Sequence, residues 1–269
     1  LIVDTQADKT APDYSPYARH YAQSRPGYPT ELFAYLASLV DRRQLAWDCA
    51  TGNGQAAAEL VKLFDRVIAT DISAEQIRQA APHPRIDYRV AGSERSGLDD
   101  RSVDLIAVAS AMHWFDLDRF YAEVNRVARP GAILAAWTYH VAHVDPPFDR
   151  VLGRFYTEIV FPYFGAGARL VDDRYATITL PGAPIPGRDF HVQASWNLDQ
   201  MLAFIRSWSG TQEYLRQRGT DPVALIAREL ESVWGDRTRM HTVRWPLYLR
   251  ISKLERGEIK GRIRSAKAD

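Results

Sequence analysis

The chain has 269 residues, 46% apolar and 25% charged, with a net charge of +1. This composition supports a real core, the length suits one elaborated domain or two small ones, and the charge gives no strong pull toward nucleic acid or acidic membrane. No apolar run approaches the roughly 20 residues of a membrane span, the first 15 residues lack a secretion-type apolar segment, and the single cysteine, Cys49, rules out an internal disulfide; a cytoplasmic address is the expectation.

Residues 1–13 are polar and are expected to be loose. Pro29-Thr30-Glu31 opens a helix, with Pro in the first turn and an acid near the N-terminus. Leu32, Phe33, Leu36, Leu39 and Val40 give that helix its apolar stripe. A regular alternation follows. Residues 46–49 read as a strand end, 56–64 as a helix, 67–71 as a strand and 73–81 as a helix capped by Ser73. Residues 86–90 read as a strand, and 103–109 (VDLIAVA) as a strand buried on both faces. Residues 116–128 form a helix with Phe120, Val124 and Val127 inward, and 132–137 (AILAAW) form a fifth strand. Strands alternating with helices imply an α/β fold, a mostly parallel sheet with helices on both faces.

After Trp137 the rhythm changes. Residues 147–164 read as an aromatic-rich helix, 181–188 as a loop and 190–196 as a strand. Residues 198–208 and 222–234 read as helices, with Asp199 and Asp221 in their capping regions. Residues 242–251 read as a late strand in which Pro246 marks an edge or a bulge. The pattern divides the chain into an N-terminal segment (1–28), a ligand-binding core (29–140), a mainly helical insertion lying on the sheet (141–240), and a last strand with a charged tail (241–269).

The stretch WDCATGNGQAAAEL, residues 47–60, is a strand end, a glycine turn and a helix. Gly52 and Gly54 let backbone approach a ligand. Asp71 ends the next strand, at the spacing where an acid accepts both hydroxyls of an adenosine ribose. Gly52-x-Gly54-x-x-Ala57 also fits a relaxed dinucleotide fingerprint, which leaves two ligands open. A pyrophosphate needs free amides at a helix N-terminus, whereas a cationic sulfonium needs carbonyls, carboxylates and aromatic faces.

Over most of residues 15–140 the chain resembles the class I S-adenosylmethionine-dependent methyltransferases. The segment Asp48-Cys49-Ala50-Thr51-Gly52-Asn53-Gly54 matches their acidic-x-Gly-x-Gly-x-Gly turn, with Ala50 in place of the first Gly. Asp71 matches their ribose-binding acid, Gly92-Ser93-Glu94 the loop beside adenine, and Arg129-Pro130-Gly131 the turn before their fifth strand. Tyr21-Ala22-x-x-Arg25-Pro26-x-Tyr28-Pro29 and His113-Trp114-Phe115 look most like the trans-aconitate methyltransferase-like (type 11) branch. The resemblance implies a Rossmann-like, seven-stranded sheet and S-adenosylmethionine as cofactor. It implies cofactor contacts from Tyr21, Arg25, Asp48, Ala50, Gly52, Gly54, Asp71, Ile72, Gly92, Ser93, Glu94 and Ala109. Gly92 departs from the Asp that many relatives place against the adenine amino group.

Residues 21–28 are expected to fold over the cofactor, with Arg25 pairing its carboxylate or standing as a surface Arg. His113, at the carboxyl end of the fourth strand, is the catalytic candidate: a general base, a hydrogen-bond donor to substrate, or a packed loop His. Trp114, Trp137, Tyr139 and Trp208 are expected to wall an acceptor pocket, with His140 in the same cleft and Arg206 as the cation for an acidic acceptor. Cys49 is expected to be a packed, inert thiol.

The partner is then a small-molecule methyl acceptor, some relatives using carboxylic acids; no nucleic acid, membrane or metal is expected, and the chain works as a monomer or weak homodimer. Transfer is direct and in line. Two other readings stay open: an NAD-dependent dehydrogenase using the fingerprint, and a cofactor-binding protein without catalysis.

Overall fold

A computed structural model describes residues 27–255 and the short strand Arg262–Ile263. Its centre is a sheet of five parallel strands: β1 (Leu45–Cys49), β2 (Arg66–Asp71), β3 (Ile86–Val90), β4 (Val103–Ala109) and β5 (Ala128–Tyr139). The order is β3-β2-β1-β4-β5, so the chain crosses over between β3 and β4 and leaves a crevice above the carboxyl ends of β1 and β4. A long antiparallel strand, β9 (His241–Lys253), follows β5. Two short strands share the seventh place: β7 (Ala183–Ile185) pairs the end of β9, and β8 (Phe190–Trp196) pairs its beginning. The expected seven positions are therefore filled by eight strands. β6 (Ile178–Thr179) and β10, the strand Arg262–Ile263, form a separate two-stranded pair.

Alternation along the strands feeds two cores. Ala46, Leu105, Ala107, Ile133 and Ala135 face α1 (Thr30–Ser38) and α2 (Gln55–Leu60). Trp47, Cys49, Ile106, Val108, Leu134 and Ala136 face α4 (Leu117–Val127). The α3 helix (Ala74–Gln79) starts where the Ser73 side chain accepts the Gln76 N–H, and α4 starts where Asp116 accepts the Arg119 N–H. Pro246 is paired on one side only, against His191 of β8; pairing with β5 begins one residue later, at Leu247. That is how a strand otherwise flanked on both sides holds a residue without an N–H.

Beyond β5 the expected long helix divides. It runs as α5 (Pro146–Arg154), widens into a π-turn at Phe155–Val160, and ends in a 3₁₀ turn at Phe161–Tyr163. The short α6 (Ala168–Asp172) follows, then α7 (Leu198–Arg206), α8 (Ser209–Arg218) and α9 (Ala227–Trp234). α8 has no counterpart in the sequence pattern, because SGTQEYLRQR buries only Gly210 and Thr211. The loop expected over 181–188 contains β7.

Candidate active site

The carboxyl ends of β1, β2, β4 and β5 open into one cavity of about 920 Å³. One half is lined by the glycine turn, Asp71 and its neighbours, and Ser93-Glu94. The other half is aromatic, with Tyr28, Trp114, Tyr139, Tyr156, Phe164 and Trp208 on its wall.

The turn owes its shape to three left-handed residues: Ala50 at φ +57°, Gly52 at +57° and Gly54 at +87°. Ala50 thus adopts the conformation for which relatives use Gly, at a cost of about 1–2 kcal/mol. The Thr51 N–H donates to the Thr70 carbonyl at 2.9 Å and the Gly54 N–H to the Thr51 carbonyl at 3.0 Å, which holds the loop against β2. Gly54 is needed for another reason: a β-carbon there would lie 2.5 Å from the Tyr88 hydroxyl.

Asp71 is fixed by two amides. Gly52 donates to its Oδ2 and Ser73 to its Oδ1, each at 2.8 Å. Each oxygen keeps a second lone pair for hydroxyls in the cavity, which suits a ribose diol. Burial raises the Asp71 pKa, and the Ser73 and Gly52 amides oppose that rise. Ile72 is 63% exposed and forms an apolar lip beside the same half of the cavity.

Asp48 does not reach the cavity, contrary to the cofactor contact expected of it. It is fully buried beneath the turn, where Oδ2 accepts the Thr51 hydroxyl and Oδ1 has no partner. Burial pushes its pKa up to about 7, against the lowering effect of Thr51 and the Ala57 amide and with a small added push from Asp71. Asp48 therefore shapes the turn from below. Gly54 is likewise off the wall, occupied with Tyr88. Gly92 is also off it, but a β-carbon at Gly92 would sit 3.3 Å from Glu94 Oε2. The Glu94 carboxylate thus occupies the space beside Gly92, braced by the Asp116 N–H on Oε1. Ala50, Gly52, Asp71, Ile72, Ser73, Ser93, Glu94 and Ala109 all line the cavity. Tyr21 and Arg25 lie outside the described residues, as does the expected cover up to residue 26.

Of the residues expected on the acceptor wall, Trp114, Tyr139 and Trp208 are there, together with His113. Trp137 is not. β5 runs two residues past the predicted end, so Trp137 is an interior position, fully buried with Tyr28 and Phe33 edge-on at 5.6 and 6.0 Å. Arg206 is not there either. It leaves the outer face of α7, and its Nε donates to Asp221 Oδ2 at 2.8 Å.

His113 stands in a 3₁₀ turn after β4, and Gly167 packs directly on its carbonyl, where a β-carbon would clash. Its Nδ1 lies 2.8 Å from the Tyr175 hydroxyl. The Tyr175 oxygen also faces the Thr138 hydroxyl and the Met112 and His113 amides, and burial holds that phenol protonated. The Tyr175 hydroxyl thereby fixes the His113 ring, and where the phenol donates to Nδ1 the ring proton sits on Nε2. Burial pulls the His113 pKa down to about 3. The imidazole is therefore neutral at ordinary pH.

Tyr156, Phe164 and Phe204 were not legible as wall residues, because an aromatic stripe at helical spacing marks a buried face and not which cavity it meets. The π-turn is the device that carries Tyr156 into the cavity. The thiol of Cys49 is buried and its pKa is raised, foremost by burial, as expected of an inert packed residue. Among the described residues no group of His, Cys, Asp or Glu is arranged to hold a metal, and no helix is long and apolar enough to cross a membrane.

The methyltransferase domain family matches residues 47–136. A Dictyostelium discoideum protein named as a methyltransferase is 30% identical over 246 residues, 88% of this chain and 93% of that one. A Saccharomyces cerevisiae protein named as an S-adenosylmethionine-dependent methyltransferase is 26% identical, over 76% of this chain and 82% of its own. A solved structure named as a type II methyltransferase, from Anaeromyxobacter dehalogenans, is 40% identical with a TM-score of 0.80, covering 86% of this chain and 99% of that one. A turn of this shape, an acid set for a ribose diol and these relatives together place the chain: it belongs to the class I S-adenosylmethionine-dependent methyltransferases. The dehydrogenase and non-catalytic readings are set aside.

Proposed function

We propose that the enzyme methylates a small organic molecule held in the aromatic half of the cavity, by direct in-line transfer. The observation that carries this reading is the cavity itself. It is continuous from Asp71 to Trp208, enclosed on the acceptor side by the insertion, and of the size that suits a cofactor with a small partner. One chain builds all of it, consistent with a monomer or weak homodimer, and a cytoplasmic setting remains the expectation.

Bound there, S-adenosylmethionine supplies a methyl group already activated by the positive charge on sulfur. Asp71 takes the ribose hydroxyls, the Gly52 turn lets backbone close on the donor, and Ile72 covers one face of the adenine. Glu94 stands in for the acid that Gly92 lacks and accepts from the adenine amino group. Trp114, Tyr156, Phe164 and Trp208 exclude water and align the acceptor, which is most of what such a transfer needs. His113 donates a hydrogen bond from Nε2 into the cavity.

The trans-aconitate-like resemblance implies a carboxylic acid acceptor. Arg206, the cation expected for it, is paired with Asp221, so that version would rest on His113 as the hydrogen-bond donor. Calorimetry with S-adenosylhomocysteine, followed by a cofactor-consumption screen over acids, phenols and amines, tests the proposal. One site per chain and turnover of a small molecule support it; binding of the cofactor product with turnover only of macromolecules overturns it.

A further inference from the structure

The acceptor half of the cavity holds a second histidine that the donor role of His113 leaves unused. His140 follows the end of β5, at the carboxyl edge of the sheet, and lines the cavity beside Tyr139 and Val141. Its Nε2 lies 2.8 Å from Asp172 Oδ1 at the end of α6. The contact is at ion-pair distance without hydrogen-bond alignment. The Tyr156 hydroxyl donates to the same Oδ1 at 3.2 Å, and the Tyr156 ring packs edge-on against His140 at 4.7 Å. Three separate segments, the β5 end, the π-turn and α6, thus converge on one imidazole. With Nε2 turned to Asp172, Nδ1 is the nitrogen left for the cavity.

We propose that His140 is the general base of the reaction, that Asp172 and Tyr156 position it, and that the acceptor is a neutral phenol. This rests on the methyltransferase reading above and names its substrate class. The phenol oxygen bonds to the methyl carbon as the sulfur–carbon bond breaks and the sulfur keeps the electron pair as a neutral thioether. The phenol proton passes to His140 Nδ1, and the charge on the resulting imidazolium is held by Asp172 through Nε2. A planar ring fits walls made of Tyr28, Trp114, Phe164 and Trp208. A carboxylate, by contrast, is a nucleophile already and has no use for a base.

The groups facing His140 set its titration. Burial and the charges of Arg174 and His143 lower its pKa, and Asp172 raises it; Tyr156 adds a phenol that burial keeps protonated.

The test uses the full chain with S-adenosylmethionine and a panel of ordinary phenols, nitrophenols ionised at neutral pH, benzoic acids and benzylamines. His140→Gln is expected to lower kcat/KM on ordinary phenols by about 10²–10⁴-fold while nitrophenols, which bring no proton, lose far less. Asp172→Asn is expected to move the acid limb of the pH profile to lower pH. Nitrogen NMR of the unmodified protein is expected to show His140 as the Nε2–H tautomer, a readout that survives even if a variant misfolds. Equal losses on both kinds of phenol, an Nδ1–H tautomer, turnover of acids or amines only, or no turnover across the panel would each overturn the inference. Failure to bind S-adenosylhomocysteine would instead strike the methyltransferase reading beneath it.

Discussion

Asp48→Asn is the perturbation for which the structure gives a magnitude. Asp48 is completely buried, its Oδ1 has no partner, and its pKa stands at about 7 against an ordinary 3.8. Between those values the folded chain holds a proton that the unfolded chain has released, so the unfolded state binds fewer protons and stability falls as pH rises. The shift spans about three pH units at about 1.4 kcal/mol each, so ionising this buried acid costs the native state on the order of 4 kcal/mol by pH 7. The introduced asparagine keeps the acceptor for Thr51 and Ala57 and cannot ionise, while its amide N–H groups go unpaired at a cost of about 1–3 kcal/mol. The useful quantity is therefore the difference between the two proteins across pH, in which that fixed cost cancels. Urea unfolding followed by tryptophan fluorescence from pH 4 to 8.5 reads it. The variant should gain on the wild type by about 3 kcal/mol on going from pH 4 to pH 7, and run parallel to it from about pH 8. Two curves parallel throughout would show that Asp48 is ionised in the folded protein at all these pH values, and the account of the turn's underside would be wrong.

Asp71→Ala should weaken S-adenosylhomocysteine by about 1.5–3 kcal/mol, the loss of charge-assisted bonds; unchanged calorimetric affinity would remove Asp71 from the site. Ala50→Gly should leave the turn in place and stabilise the protein by about 0.5–1 kcal/mol, since relief of left-handed strain exceeds the added freedom of the unfolded chain. A lower urea midpoint would show that the Ala50 methyl packs usefully. Glu94→Ala should reduce S-adenosylhomocysteine affinity by about 1–3 kcal/mol, again read by calorimetry, and no reduction would separate Glu94 from the adenine.

What was legible in the sequence is what local chemistry dictates. VDLIAVA is apolar at every position but Asp104, and β4 occupies the predicted residues, 103–109, because no register hides it from either core. Ser73 caps a helix where capping chemistry says it should. Gly52 and Asp71 were identifiable because turn, strand end and acid lie within 20 residues of one another. Long-range partnership was not legible. Tyr175, whose hydroxyl meets His113 Nδ1, lies 62 residues further along, and nothing in YATITL marks it as that partner. Arg206 illustrates a different failure. Helical spacing identifies the buried face of α7, but not that its last turn would meet Asp221 instead of the cavity. Trp137 was misplaced by two residues of strand, enough to turn a wall into core.

The two departures from the family pattern are of different kinds, and the structure separates them. At Ala50 the backbone keeps the left-handed shape and the added methyl is tolerated, so the change is in energy alone. At Gly92 the side chain is gone, and the Glu94 carboxylate lies beside the vacated position, next to the Gly92–Arg95 bridge; on the function proposed above it takes over the aspartate's part. The two solutions crowd each other, because a β-carbon at residue 92 would approach Glu94 Oε2 to 3.3 Å and a carboxylate beyond it would add like charge. It follows that Gly92→Asp alone should harm cofactor binding, by setting two carboxylates against each other, whereas the same change in the Glu94→Ala protein should restore part of what that variant lost. Calorimetry on the four proteins of this cycle measures the coupling. Additive effects would mean that residues 92 and 94 do not compete for one place beside the adenine.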